Sequence, residues 1–514
     1  MICLLSITYL LPLDIWMHRN GGSIGSPSLD ILWLIIYWTQ FILCWCFIPV
    51  MISYVDLKYI TPLEEQNDND EHKFSKYRFK KAILQNLKFY GICLLGLVIG
   101  VVYLKMSNFK NHSINIKSLL ISMSHLYSLS YMLVLLSMGL NLLPFSYFQD
   151  SKPRHANKIN ISTNSNDWED KLFIKLSKNN DDINDSKMNL IDNYNTIMNF
   201  HVSLDGDENQ VIIKKCQEEV ETLFAEIKNI DGADNGLSSL DLSITRPSSS
   251  SVNSTELQSL DELNNVYNAF KTQYYNYLYY KNYSDKLVHK LVVNSATSDT
   301  KKHYFQLFLF DAFGILCFLL SISVAFIECT PLNLHKWLIN SDGNAAILLF
   351  CQHFIFFGYM TVSCSYALSN FKFSNFHLIP NGRSNPSNTL YYSLYSSRLL
   401  LPLCFNFISL VPNSSSSFQK VLYDDLFNWV IFLNKYLPPF FIVGISLSYW
   451  FNLRDKLLIK VLGGETYYQL FGEYFLLVDD YGNLGNDADA DAIERDYEYS
   501  LREGRSLYER SLRS

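Results

Sequence analysis

The chain alternates between long runs of apolar residues and stretches rich in charged and polar ones. Seven runs are each long enough to cross a bilayer, whose core of roughly 30 Å takes about 20 helical residues. They lie at about 31–53, 82–104, 118–145, 304–327, 344–371, 390–411 and 426–453. Few of these runs alternate with period 2, so strands of a transmembrane barrel are not expected. The pattern predicts an all-α fold, a polytopic bundle of transmembrane helices.

An eighth, shorter apolar segment lies at about residues 1–16. It has neither the basic start nor the cleavage site of a signal peptide, and it is typical of the second half of a spanning helix. Lys and Arg accumulate in alternate connections, which by the positive-inside rule places the N-terminus in the cytosol. We therefore expect an N-terminal membrane half at 1–148, a cytosolic loop at 149–303, a C-terminal membrane half at 304–453 and a cytosolic tail at 454–514.

The polar loop changes character along its length. Its early part, 157–189, is rich in Asn, Asp, Ser and Lys, a composition that predicts a mobile segment. Two later stretches, at about 205–230 and 257–295, repeat apolar residues at helical spacing and are separated by a serine-rich linker that we expect to be disordered. They would pair as an antiparallel, coiled-coil-like hairpin, or one would pack on the inner face of the membrane domain. Either way, residues 205–295 offer a surface to cytosolic or membrane protein partners.

Composition supports a membrane protein and argues against other classes. Aromatic residues make up 15% of the chain, and charged residues make up 18%, below the roughly 25% of soluble domains. The net charge of −7 gives no footprint for nucleic acid, and the ten cysteines show no metal-binding spacing. No nucleophile with its base and no glycine-rich phosphate loop is visible. We therefore expect no enzymatic activity, no cofactor, no metal and no nucleic-acid partner.

Charged and polar residues inside the apolar runs are the candidate functional positions, because lipid burial makes them costly. Asp311 and Arg398 could pair across the bundle, either as a structural ion pair or as part of a path for an ion or substrate. The remaining candidates are Gln40, Asn406, Asp14 and Glu328, with Lys435, Gln352 and His353 beside them. For Asp14, Glu328 and Lys435, a role in pinning the bundle is favoured over a path.

Prolines within the apolar runs predict kinked helices around an interior cavity. A membrane helix tolerates proline where neighbouring groups satisfy the carbonyl that it leaves without a donor. The prolines concerned are Pro49, Pro144, Pro402, Pro438 and Pro439.

A series of short motifs resembles the limb-region-1 (LMBR/LIMR) family of membrane proteins, and most closely its limb-region-1 domain-containing protein 2 branch. The strongest is the run 398–407, Arg-Leu-Leu-Leu-Pro-Leu-Cys-Phe-Asn-Phe. The others, in the order of the family, are Leu11-Pro12-Leu13-Asp14, Tyr37-Trp38-Thr39-Gln40-Phe41, Gly139 with Pro144 and Tyr147, Glu328-Cys329-Thr330, Tyr436-Leu437-Pro438 and Leu462-Gly463.

The resemblance implies nine helices, an outside N-terminus, a long cytosolic loop after the fifth helix and a cytosolic C-terminus. This chain begins where the second helix of that family lies, so we expect eight segments here. The branch carries a polar, His- and Gln-containing stretch before residue 390, whereas this chain has Pro-Asn-Gly-Arg-Ser-Asn-Pro at 380–386.

In function, the resemblance implies a receptor-like or signalling-adaptor protein associated with G-protein-coupled receptor signalling. The plasma membrane is the expected location, with an endomembrane as the alternative. A transporter or channel for a small molecule or ion is the alternative function.

Overall fold

The residues that the structure describes are almost all helical. The computed structural model describes residues 2–19, 27–59, 71–107, 116–151, 167–200, 207–233, 260–295, 301–330, 346–370, 378–379, 382–411, 416–422, 428–451 and 487–513. No β-strand occurs in these ranges. The serine-rich linker and the first part of the tail, 454–486, lie outside them.

The helices fall into membrane and polar groups. In chain order they are α1 (Ile2–Arg19), α2 (Pro27–Ile42), a π-helical turn (Leu43–Phe47), α3 (Ile48–Asp56), α4 (Glu71–Ser107), α5 (Ile116–Ser151), α6 (Asp167–Met198), α7 (Asp207–Ala233), α8 (Leu260–Ser295), α9 (Lys301–Cys329), α10 (Ala346–Asn370), α11 (Pro386–Leu410), α12 (Ser417–Leu422), α13 (Asn428–Trp450) and α14 (Asp487–Arg513).

Five stretches within the described residues are long and apolar enough to cross a membrane. They are Leu29–Asp56, Lys76–Gly100, Ser122–Phe148, Phe308–Cys329 and Ile347–Asn370. The side chains of α4 face outward over much of its length: Leu87 is 64% and Ile92 72% exposed. An apolar surface of this extent is suited to lipid rather than water. The all-α membrane bundle expected from the sequence is confirmed.

Helix α5 lies at the centre of the membrane bundle and packs on α9, α10, α11 and α13. Its residues Leu129, Met132, Leu133 and Leu136 are fully buried in the apolar core. At Gly139 the backbones of α5 and α10 nearly touch, since a Cβ added there would lie 2.1 Å from the Ser363 carbonyl oxygen. Small residues permit this close approach of membrane helices.

Two of the membrane prolines have partners for the carbonyls that they release. Proline lacks the N–H that would bond the carbonyl four residues earlier. Pro49 leaves the Trp45 carbonyl, within the π-helical turn, without that donor, and the Tyr90 hydroxyl of α4 donates to this carbonyl instead. Pro144 likewise leaves the Leu140 carbonyl without a donor, and the Ser321 hydroxyl of α9 donates to it at 2.7 Å. The interior cavity stays a prediction.

The polar helices α6, α7 and α8, which we call the insertion, form a second bundle. Helix α6 runs antiparallel to α8, since Asn179 Nδ2 donates to the Tyr280 carbonyl at 2.8 Å and the Lys187 ammonium lies 5.6 Å from the centroid of the Tyr277 ring. The expectation of a mobile segment at 157–189 is therefore wrong from Asp167 onward.

The physical reason lies in the spacing of the apolar residues of α6. Leu176, Ile183, Leu190 and Ile197 recur every seven residues and are buried. The many Asn, Asp and Lys residues occupy the remaining positions, so the segment has a polar composition and still an apolar stripe. Average composition conceals such a stripe, and its period reveals it.

Helices α7 and α8 lie side by side in the same direction. Glu219 contacts Tyr267 and, seven residues later, Glu226 contacts Tyr274 at 2.8 Å, so both helices advance together. The expected antiparallel hairpin is thus wrong, because apolar spacing carries no information on helix direction. The antiparallel partner of α8 is α6.

The charged C-terminal stretch forms α14, which packs antiparallel along α6. The Ser177 hydroxyl donates to Glu503 at 2.6 Å, and the Arg505 guanidinium lies 2.9 Å from Asp170. A Cβ at Gly504 would lie 2.0 Å from the Phe173 carbonyl oxygen, so this glycine permits the contact.

Candidate functional site

Asp14, on α1, has no exposed surface and joins three helices. Its Oδ2 accepts a hydrogen bond from Trp33 Nε1 at 3.0 Å and one from the Phe418 N–H at 3.2 Å. The Ser417 N–H donates to Oδ1 at 3.3 Å, and the His18 ring nitrogen lies 3.2 Å from that oxygen. A carboxylate at the first N–H groups of α12 satisfies donors that the helix itself leaves free. These contacts are those of an anchor.

Gln40 and the π-helical turn are fastened to α11. Gln40 Nε2 donates to the Ser397 carbonyl at 2.5 Å, and the Cys44 thiol lies 2.9 Å from the Ser397 hydroxyl. The next residue, Arg398, places its guanidinium carbon 5.5 Å from the centroid of the Trp45 ring, which is a cation–π distance.

The structure places Asp311 and Arg398 on different helices, α9 and α11, and their pairing stays a prediction. Asp311 is half-buried on α9, a helix that packs along α5 and α13. Arg398 faces the π-helical turn, where it lies over the Trp45 ring.

Glu328 and Asn406 are brought together at the far end of α9 from the insertion. Both are buried, with 5% and no exposed surface respectively, and Asn406 Nδ2 donates to Glu328 Oε1. Glu328 Oε2 and Asn406 Oδ1 have no hydrogen-bond partner among the described residues. The sequence pointed to both residues separately; nothing in it indicated that they meet.

The remaining polar candidates are on α10 and α13. His353 of α10 is buried, with its ring centroid 5.9 Å from that of Phe407. The Lys435 ammonium lies 5.9 Å from the centroid of the neighbouring Tyr436 ring. Gln352, beside His353, is half-buried.

A polar network that sequence reasoning missed joins the insertion to the end of α3. Its centre is Glu219 of α7, whose Oε1 lies 2.5 Å from Lys58 Nζ and accepts from the Tyr267 hydroxyl at 2.9 Å. The Tyr59 hydroxyl donates to the other oxygen. We call this network the junction; its members are Asp56, Lys58, Tyr59, Glu219, Asn264, Tyr267, Asn268 and Ser387.

The backbone at the end of α3 is held by α8. The Asp56 carbonyl, which the helix leaves without an internal donor, accepts from Asn264 Nδ2 at 2.9 Å and from Asn268 Nδ2 at 2.7 Å. The Tyr59 N–H donates in return to Asn264 Oδ1 at 3.0 Å. The Ser387 hydroxyl of α11 donates to the Asp56 carboxylate at 2.6 Å, so two membrane helices and the insertion meet here.

Electrostatics fixes the protonation of the junction. Burial alone would raise the pKa of Glu219, but the hydrogen bonds from Lys58, Tyr59 and Tyr267 outweigh it and lower that pKa. Burial, together with the Glu219 carboxylate, raises the pKa of both tyrosines. Glu219 is therefore a stable anion, and the tyrosine hydroxyls are permanent donors.

One sequence signal could have found this network. Glu219 lies beside the apolar stripe of α7, between the buried Cys216 and Val220. A charged residue at the edge of a buried stripe requires a partner from elsewhere. What the sequence cannot give is the identity of that partner, 161 residues earlier in the chain.

Within the described residues, no group of three His, Cys, Asp or Glu side chains is placed to hold a metal ion. The arrangement provides helix anchoring, charge burial and a rigid connection between two bundles.

Comparison with known proteins identifies the family. A family model described as LMBR1-like membrane protein matches residues 1–454. The chain belongs to this family. The resemblance carried by the short motifs is thereby confirmed, and the protein is a multi-pass membrane protein of the LMBR1-like type.

Two curated relatives match with modest identity. The G-protein coupled receptor-associated protein LMBRD2 of Caenorhabditis briggsae is 23% identical over 425 residues, which cover 77% of this chain and 61% of the relative. The LMBR1 domain-containing protein 2 homolog A of Dictyostelium discoideum is 30% identical over 122 residues, covering 21% of this chain and 16% of the relative. The chain thus spans less than two thirds of either relative. No solved structure matches.

Proposed function

We propose that this protein is a signalling adaptor of the plasma membrane that associates with G-protein-coupled receptors. The proposal draws on the name of the Caenorhabditis briggsae relative, a receptor-associated protein. It also draws on the distribution of Lys and Arg, which favours a cytosolic position of the insertion. Partner proteins would dock on the insertion, mainly through residues 205–295.

The observation that carries the proposal is the junction. A docking surface on a loose tether reports little about the membrane helices. Here Asn264 is hydrogen-bonded to Asp56, the last residue of α3, and Glu219 to Lys58, two residues later. Ser387 adds α11 to the same network. A shift of a membrane helix beside a receptor would therefore be transmitted directly to the cytosolic helices, and a bound partner would act on the membrane helices in return.

The C-terminal helix enlarges this surface. Its packing on α6 through Glu503, Gly504 and Arg505 makes α14 a part of the same bundle as the insertion. We expect partners to contact the outer faces of α7 and α14, both of which pack on α6.

Proximity labelling from a biotin ligase fused to the C-terminus tests the proposal. Glu219→Lys places a cation against Lys58 and breaks the junction, while Glu218→Lys makes the same charge change at an exposed neighbour. The wild-type chain and Glu218→Lys should label receptors and their signalling proteins, and Glu219→Lys should label far fewer at equal membrane abundance. Failure to enrich any receptor with the wild-type chain would overturn the proposal.

Transport of a small molecule or ion is the second candidate function. It is favoured by the buried Glu328–Asn406 pair, whose two unpaired oxygens lie inside the membrane bundle. Substrate flux by the purified chain in liposomes, together with the absence of any labelled receptor, would support transport over the adaptor role.

A further inference from the structure

The contact between Glu328 and Asn406 is half of a recognisable hydrogen-bond pattern. A carboxylic acid and a primary amide are both planar groups with two polar atoms, and they can form a ring closed by two hydrogen bonds. One of these bonds is present, from Asn406 Nδ2 to Glu328 Oε1. The atoms that the second bond would join, Glu328 Oε2 and Asn406 Oδ1, are the two that lack partners.

Both of these atoms are acceptors if Glu328 is ionised. An ionised carboxylate accepts only, and an amide oxygen accepts only, so no hydrogen bond can form between them. A proton on Oε2 turns that side of the ring into a donor facing an acceptor, and it also removes a buried charge. Burying an unpaired ionised carboxylate costs far more than burying the neutral acid.

Among the described residues, no basic side chain forms an ion pair with Glu328. The titratable groups close enough to feel the charge of Glu328 include the thiols of Cys329, next in the chain, and Cys364 of α10. The helices packed around the pair also carry His353, His125 and Lys435, whose side chains contact aromatic rings.

We infer that Glu328 is a proton-binding site inside the membrane bundle, and that its bound proton completes a two-bond ring with Asn406 that links α9 to α11. The ligand is a proton, and the site is independent of the junction and of any partner on the insertion. Release of the proton would leave two oxygens facing each other without a donor, which weakens the link between the helices at the end of the bundle away from the insertion.

Glu328→Gln is the discriminating substitution. The amide of the new glutamine is a hydrogen-bond donor at every pH, whereas Glu328 is a donor only while its proton is bound. We expect wild type and Glu328→Gln to melt at similar temperatures at pH 6, as purified full chains in nanodiscs. At pH 9, the wild type should melt several degrees below the variant. Parallel melting curves across this pH range would overturn the inference.

A spectroscopic measurement covers the case in which the variant is poorly folded or the shift is small. At neutral pH, the wild type should show the infrared C=O stretching band of a buried protonated carboxylic acid. Glu328→Gln should lack this band, and Glu218→Gln, at an exposed position, should retain it. Absence of the band in the wild type contradicts the inference.

Sodium provides the last arm of the test. If the site binds a metal cation, wild-type stability should rise when sodium replaces choline, and Glu328→Gln should lose that response. A sodium effect confined to the wild type would show that the site binds a metal cation and would overturn the inference. Equal melting temperatures in both salts would support the proton as the ligand.

Discussion

Replacing Glu219 by alanine is expected to separate the insertion from the membrane helices, because one carboxylate accepts from three side chains there. Tyr59 and Tyr267 are 7% and 1% exposed, so water has little access to hydroxyls that lose their acceptor. Leaving a buried donor unpaired costs about 1–3 kcal/mol. Lys58 and Glu219 are 36% and 29% exposed, so their ion pair contributes about 0–1 kcal/mol after screening by solvent.

These contributions share one carboxylate and do not simply add. We expect Glu219→Ala to destabilise the junction by about 2–4 kcal/mol. The assay is hydrogen exchange of the full chain in nanodiscs, read at the last turn of α3 and along α7. Glu218→Ala, at an exposed neighbouring position, is the matched control.

Exchange in Glu219→Ala should accelerate by roughly 30-fold or more at the junction, the factor that 2 kcal/mol implies, while Glu218→Ala follows the wild type. Tyr59→Phe should add little in the Glu219→Ala background, because its acceptor is already gone. Equal exchange in the two glutamate variants would show that the junction does not hold the insertion.

Three further predictions follow from other contacts. Gly139→Ala should lower the folding stability by about 1–3 kcal/mol and reduce the folded yield, because its new Cβ would lie 2.1 Å from the α10 backbone. Gly358→Ala has open space around its Cβ and should be tolerated in the same fluorescence size-exclusion assay. Ser321→Ala should lower the melting temperature more than Ser323→Ala, since only Ser321 satisfies a carbonyl released by proline; the effect is about 1 kcal/mol. The hydrogen bonds from Lys58, Tyr59 and Tyr267 lower the pKa of Glu219 below its ordinary value, so its stabilisation is complete above that ordinary pKa and is lost as the pH falls through the lowered one. Acid unfolding of Glu219→Gln should lack this loss.

Much of the membrane bundle could be predicted because lipid imposes a length and an apolarity on each span. The run Ser122–Phe148 shows this, since it lacks charges and forms the central helix. Helix direction and pairing are less constrained by sequence, which explains why the parallel packing of α7 and α8 was not foreseen. The stripe at Leu176, Ile183, Leu190 and Ile197 was present in the sequence but was masked by the polar residues between its members.

The polar positions show where single-sequence reasoning ends. Burying a polar side chain inside the membrane is costly, so Asp14, Glu328 and Asn406 could be predicted to need partners. Each of them has at least one. The cost of burial does not choose the partner: Arg398 lies over the Trp45 ring, a contact that the sequence did not indicate. The choice depends on the rotation of each helix about its axis, which the summed packing of all neighbours decides.

Resonance energy transfer in living cells tests the adaptor proposal most directly. The donor is fused to the C-terminus of the full chain, and the acceptor to a G-protein-coupled receptor or, as a reference, to an unrelated multi-pass membrane protein at equal expression. We predict saturable transfer to receptors that Glu219→Lys abolishes and Glu218→Lys retains. Transfer to receptors no greater than to the reference protein would contradict the proposal.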